Sequence, residues 1–215
     1  MPQNQFVHLH LHTDYSLLDG ACDVGTVVDR IAELDMPAAA ITDHGNLFGA
    51  VSFYETANQK GVKPIIGCEV YVARGNHTDR TSADGEKGNN HLVLLCENNT
   101  GYKNLVKLVS VGYLQGFYYK PRVDKELLSK HSEGLICLSA CLSGEVCSNL
   151  VHDNYNAARR AAGEYLDIFG RGRFFIEIQD QGLEVEHRIN PQLVRLSREL
   201  TVPLVATNDC HYVSR

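Results

Sequence analysis

The sequence has no tryptophan, only two methionines and six prolines. It also has no apolar run near the ~20 residues that a membrane-spanning helix needs. Its start, "MPQNQF", lacks the basic and apolar regions of a secretory signal. A cytoplasmic chain without membrane contact is expected. Positive charge is not in excess: the formal net charge is −6, which argues against a simple basic nucleic-acid-binding patch. A nucleic-acid substrate stays open, because three divalent cations would concentrate a positive charge of equal size in one cleft. There is no G-x-x-x-x-G-K-[ST] phosphate loop, and no G-x-S-x-G elbow for a serine nucleophile. Seven cysteines, odd in number and irregularly spaced, do not form a disulfide scaffold. They suit a reducing compartment as small buried residues, any one of which is free to bind a metal.

What is present is an ordinary globular composition, 44% hydrophobic and 21% charged over 215 residues. That fits one domain spanning 1–215. Seven β-rich runs stand out: "VHLHL" (7–11), "AAAIT" (38–42), "KPIIGCEVYV" (63–72), "HLVLLC" (91–96), "GLICLS" (134–139), "RFFIEI" (173–178) and "PLVAT" (203–207). Helical spacing fills most of the gaps, in "DVGTVVDRIAELDM", "FGAVSFYETANQK", "TGYKNLVKLVSVGYL", "YNAARRAAGEYLDIF" and "RINPQLVRLSRELT". The alternation predicts parallel strands joined by crossover helices, in a barrel-like α/β arrangement. Two segments break the rhythm. "RGNHTDRTSADGEKGNN" (74–90) reads as an exposed loop, and "LQGFYYKPRVDKELL" (114–128) joins aromatic and basic residues before a short helix.

The ten histidines are informative by position. In a parallel α/β barrel, functional groups sit where strands end. His10 and His12 close the first run, Asp43 and His44 follow the second, and Glu69 ends the apolar part of the third. Cys141 follows the fifth run, and Asp209 and His211 lie just past the seventh. Asp19 is on the loop after the first run, and His91 opens its run and so fits less neatly. One histidine or aspartate at a strand end is usually a hydrogen-bonded loop residue. A set that puts imidazole, carboxylate or thiol at most strand ends points instead to a multinuclear metal site. Clustered cations hold phosphate oxygens, lower the pKa of water and stabilise a leaving alkoxide, so metal-assisted phosphoester hydrolysis is the chemistry expected.

The motifs "FVHLHLHTDYSLLDGA", "AITDHGNLFGAVSFY", "GVKPIIGCEVYV", "GFYYKPR", "GLICLSACLSGE" and "VATNDCHYV" resemble the PHP (polymerase and histidinol phosphatase) family, in the form that begins the alpha subunit of bacterial replicative DNA polymerase III. The resemblance covers nearly the whole chain. It implies a distorted seven-stranded (β/α)7 barrel with two to three divalent ions (Zn, Mn or Fe). It further implies one ion on His10, His12, Glu69 and Asp209, a second on Glu69, His91 and Cys141, and a third on Asp19, His44 and His211. By the same resemblance the function is 3′–5′ exonuclease proofreading on DNA, with the rest of the polymerase and a separate proofreading exonuclease subunit as partners. The alternatives are a metal-stabilised scaffold that docks that subunit, and a stand-alone histidinol-phosphatase-like enzyme. A final barrel helix is expected beyond "VSR". His8 is read as a neighbour of the ligands, Asp43 as orienting one, and Cys68 and Cys210 as turned away. His77, His131, His152 and His187 are read as surface residues, and Lys120 and Arg122 as possible contacts to a DNA phosphate.

Overall fold

A computed structural model describes residues 6–81 and 89–214. Helix α1 (Val24–Glu33) starts at Asp23, whose carboxylate accepts the Thr26 N–H at 2.9 Å, and buries Val24, Val27, Val28 and Ile31. It leads into strand β1 (Ala38–Ile41), helix α2 (Ala50–Gln59) and the long strand β2 (Lys63–Ala73). Strand β3 (Asn89–Cys96) follows, then α3 (Asn99–Leu114), the two-residue β4 (Arg122–Val123) and α4 (Lys125–Lys130). The last part comprises β5 (Leu135–Leu138), α5 (Glu145–Val151), α6 (Tyr155–Phe169), β6 (Phe174–Ile178), α7 (Glu184–Leu200) and β7 (Leu204–Ala206). The strands form one curled sheet in the order β1-β2-β3-β5-β6-β7, with β4 added on β2. The result is a mixed α/β half-barrel.

Three expectations need correction. The run 7–11 is not a regular strand: it makes only single bridges, His8 to Ala39 and Leu11 to Cys210. The Thr42 hydroxyl takes the Leu11 N–H at 2.8 Å, in the place of a ladder partner. The segment is nonetheless tied on both sides. His8 and Leu11 carbonyls accept from Ala40 and Thr42, and His12 N–H and His10 carbonyl pair with Cys210. It therefore spans the open side of the curled sheet, between β1 and the stretch after β7.

The sheet is also not all parallel. β3 runs antiparallel to both β2 and β5. The 74–90 segment, of which 82–88 lie outside the described residues, carries no described helix, and a parallel return would require a crossover. Finally, β4 and α5 are elements that the hydrophobic pattern did not predict; two residues are too few to show a period.

Apolar side chains fill both faces of the sheet. A large cluster under α3, α6 and α7 includes Leu105, Leu108, Tyr165, Phe174, Leu193 and Leu196, and a second joins Leu11 and Ile41 to α1 and α2. A smaller one, with Ala40, Val93, Leu95 and Leu138, takes the alternate strand positions on the other face and receives Leu9, Ile65 and Phe175. Leu9 and Leu11 thus serve different clusters. No helix among the described residues is long and apolar enough to cross a membrane.

Candidate metal centre

All nine ligand-capable residues converge on one cleft. Glu69 is its hub and is 1% exposed: Oε2 is 2.9 Å from His10 Nε2, and Oε1 is 2.7 Å from both His44 Nδ1 and His91 Nδ1. Asp209 Oδ1 is 3.2 Å from His10 Nε2 and 3.1 Å from His12 Nε2. Asp19 Oδ2 is 3.3 Å from His44 Nε2 and 3.9 Å from His211 Nε2, and Cys141 Sγ is 3.6 Å from His91 Nδ1. Three groups bring their donor atoms within 4.8 Å of one another: His10, His12 and Glu69; His44, Glu69 and His91; and His12, His44 and His211. The first lies within the first ligand set implied by family resemblance. The second has His44 where Cys141 was expected, and the third has His12 where Asp19 was expected.

The strand directions explain this convergence. Glu69 pairs with Val93 and Tyr71 with His91, so the antiparallel β3 presents its beginning where its neighbours end. His91 is thereby carried into the cleft despite opening its run. Tight turns fix two other ligands. Gly45, after His44, has φ +64°, and a Cβ there would lie 2.8 Å from Pro121 Cγ and 3.0 Å from Tyr71. A Cβ on Gly20, after Asp19, would lie 1.9 Å from the Thr13 carbonyl. Asp209 itself adopts φ 48°, as does Ala140 before Cys141 at 63°, an uncommon backbone region found at constrained sites.

Hydrogen bonds behind the ligands select which ring nitrogen faces the cleft. His10 Nδ1 lies 2.7 Å from Glu177 Oε1, an acceptor, so Nδ1 carries a proton and Nε2 is left to face Glu69 and Asp209. His12 Nδ1 lies 3.1 Å from Ser16 Oγ, whose own proton goes to Asp43 at 2.8 Å. His211 Nδ1 donates to the Asp209 carbonyl at 2.9 Å. In all three cases Nε2 is the ring nitrogen turned toward the carboxylates of the cleft. Asp43 also accepts from the Thr13 N–H and hydroxyl, in keeping with an orienting role.

The electrostatics suit a cation. Burial would raise the Glu69 pKa, but His91, His10 and His44 outweigh it and hold the carboxylate well below its usual range. Burial opposes charge on His10 and His44, yet Glu177 for the first and Glu69 for both raise their pKa values. His12 is lowered by burial. Burial and the Glu69 carboxylate push the Cys141 thiol up, so the anionic form needs a nearby cation. The fit is tested most directly by His12 Nε2 and Asp209 Oδ1. They are 3.1 Å apart and sealed from solvent, and neither makes a hydrogen bond. Two buried acceptors that face each other unsatisfied are what a metal ion between them would resolve.

Glu177 is the functional residue missed in the sequence. It is 1% exposed and also receives Gln179 Nε2 at 2.9 Å and the Thr207 hydroxyl. Its signal was a carboxylate inside the apolar run "RFFIEI". Ser16 left no comparable sign. Of the remaining histidines, His152 and His187 are exposed and His131 is half-buried. His8 stands beside the cleft, with its Nδ1 3.4 Å from Cys210 Sγ. Cys68 is turned to the Asp43 carbonyl.

His77 is not a surface residue: its Nδ1 is 2.5 Å from Asp124. Nor is Arg122 placed to meet a phosphate. It is 3% exposed, and its guanidinium donates to the carbonyls of Gly116, His77 and Asp79. Lys120 does line the cleft, with Asp19, His44 and His91, and its Nζ lies 5.5 Å from the Tyr71 ring centre.

Comparison with known proteins bears on the family and the fold. DNA polymerase III subunit alpha of Thermus aquaticus is 48% identical over 214 residues, covering 98% of this chain and 18% of that protein. The same subunit of Borreliella burgdorferi is 46% identical over 213 residues, covering 99% and 18%. The chain thus spans about a fifth of the length of the curated relatives it matches. A solved two-domain protein from Bacteroides vulgatus, containing a predicted PHP-like metal-dependent phosphoesterase, shares the fold. Its TM-score is 0.54 at 14% identity, over 95% of this chain and 51% of that one. The PHP domain profile matches residues 8–181, which hold seven of the nine clustered residues, and on that match the chain belongs to the PHP domain family.

Proposed function

We propose that this chain is a divalent-metal-dependent phosphodiesterase that removes nucleotides from DNA 3′ ends, as the proofreading 3′–5′ exonuclease of a bacterial replicative polymerase. The observation that carries this reading is the cleft of nine ligand-capable side chains in which three imidazoles are held with Nε2 facing inward. His10, His12, Glu69 and Asp209 would hold one ion, Glu69, His91 and Cys141 a second, and Asp19, His44 and His211 a third. Bound there, Zn, Mn or Fe supplies an acidified water and positive charge against the phosphoryl oxygens. The chain's own residues set the geometry. Glu177 fixes His10, the Asp43–Ser16 pair fixes His12, and Lys120 adds a fixed cation for the DNA backbone at the cleft wall. The polymerase-like relatives support DNA as substrate, and the rest of such a polymerase as the covalent partner.

The test is hydrolysis of a 3′-labelled oligonucleotide by the protein loaded with Mn²⁺ or Zn²⁺. Asp209→Asn and His12→Ala are each expected to abolish shortening. Shortening that survives both substitutions overturns the proposal.

A second reading is favoured by the sealed His12–Asp209 pair. An ion that satisfies two buried atoms stabilises the fold whether or not turnover occurs, as a scaffold docking a separate proofreading subunit would require. A melting temperature that falls on chelation, with no hydrolysis under any metal, selects this reading over the first.

A further inference from the structure

We infer that the cleft continues into an aromatic subsite on which the unpaired terminal base of single-stranded DNA stacks, against the outer face of the Phe48–Tyr113 ring pair. This rests on the phosphodiesterase reading and names where the substrate's base goes. A cavity of about 190 Å³ at the metal cleft, lined by Asp19, His44, His91 and Lys120, adjoins a second of about 150 Å³. The two share Asp19, His44, Tyr71 and Lys120, so a strand with its phosphate at the ligands would extend its base along one continuous wall. Phe48 and Tyr113 form the far part of that wall, with ring centres 6.2 Å apart and planes at 44°.

The rings are exposed but not loosely placed. Phe48 is 59% and Tyr113 38% exposed. The Phe48 N–H donates to Asn46 Oδ1 at 3.0 Å, and Asn46, 4% exposed, donates in turn to the Tyr15 and His44 carbonyls. The loop that carries a candidate ligand thus also fixes the aromatic ring. The exposed outer faces of this ring pair, beside a polar cleft, offer a flat apolar surface to a flat apolar partner. Every nucleobase offers such a face, and stacking is indifferent to sequence, as a general 3′-end enzyme requires. Lys120, which lines both cavities, places positive charge where a phosphate backbone would run.

The experiment is fluorescence anisotropy of 5′-labelled oligodeoxythymidylate, with and without an abasic 3′-terminal nucleotide, on the protein and its variants. Phe48→Ala and Tyr113→Ala should each weaken binding of the intact oligonucleotide about 10-fold, inside the ~5- to 150-fold that one stacked base is worth. The abasic oligonucleotide should lose about as much on the unaltered protein, and little more on Phe48→Ala, because both changes remove one contact. Phe48→Trp should retain the affinity. Unchanged melting temperatures check that the variants fold.

Equal affinities for all variants, or losses that simply add, overturn the inference and assign the patch to a protein partner. Hydrolysis need not occur for this reading. Stacking without cleavage would sink the phosphodiesterase proposal alone, whereas cleavage with an unchanged KM in Phe48→Ala and Tyr113→Ala would sink the subsite alone.

Discussion

Glu177→Gln tests whether the hydrogen bond behind His10 governs metal binding. Glu177 Oε1 accepts His10 Nδ1 at 2.7 Å, Gln179 Nε2 at 2.9 Å and the Thr207 hydroxyl. A glutamine carbonyl at the same position keeps all three donors satisfied but loses the negative charge that raises His10 basicity. Its amide would fall where Oε2 now lies, a buried atom with no partner, so no new bond compensates. Loss of such a carboxylate behind a metal-bound imidazole costs typically 10- to 100-fold in affinity, or about 1.4 to 2.7 kcal/mol. The fold itself should respond weakly, because removing a buried carboxylate also removes its desolvation cost. Competition against a chelating dye at about pH 8 reads the affinity, and thermal unfolding of the metal-free protein reads the stability. Affinity unchanged within about 2-fold would refute the role assigned to Glu177, since the expected loss begins at about 10-fold.

Three further outcomes follow from geometry outside the metal ligands. Asp124 caps α4 through Leu127 and accepts both the His77 N–H and Nδ1. Burial raises its pKa, but these bonds outweigh it and lower the value. The stability it contributes is therefore present above the unfolded pKa of about 3.9 and lost as pH falls through the lower folded value. Asp124→Ala should cost about 2 kcal/mol near pH 7, measured by urea unfolding, and that deficit should shrink steadily below about pH 4. Gly45→Ala meets both a left-handed φ of +64° and a 2.8 Å approach to Pro121. It should cost more than about 1 kcal/mol and displace His44, read as loss of one metal equivalent by elemental analysis. Arg122→Lys leaves part of the fork to Gly116, His77 and Asp79 unmade, so unfolding should show a loss of about 1–3 kcal/mol while oligonucleotide affinity stays constant. Lost affinity at constant stability would restore Arg122 to the phosphate.

The architecture was legible wherever period and length agreed. Six of the seven predicted runs are strands, and the five long helical patterns are all helices, because burial of one face dictates both periods. Strand direction was not legible, since an apolar run reads the same in either sense. Only the character of 74–90, which breaks the β-α rhythm, carried that information, and it becomes decisive once β3 is seen to run antiparallel. "VHLHL" failed for a different reason. Its alternation is genuine, but beside single bonds to β1 its partners are a threonine hydroxyl and the irregular backbone at Cys210, neither visible in a local pattern.

The candidate site divides along the same line. Its inner residues were legible because imidazole, carboxylate and thiol are chemically conspicuous at strand ends. Of the layer behind them, Asp43 was legible beside His44, but a serine such as Ser16 or a strand glutamate such as Glu177 gains its meaning only from what it touches. Arg122 makes the converse point. A basic residue among aromatics suggested a phosphate contact, yet its planar fork matches three backbone carbonyls around a loop, and burial makes those bonds obligatory. Lys120, two residues earlier, has one compact charge and remains at the cleft wall. The same short motif therefore divides its two cations between holding the loop and facing the cleft, and the division follows from the side-chain geometry of arginine and lysine.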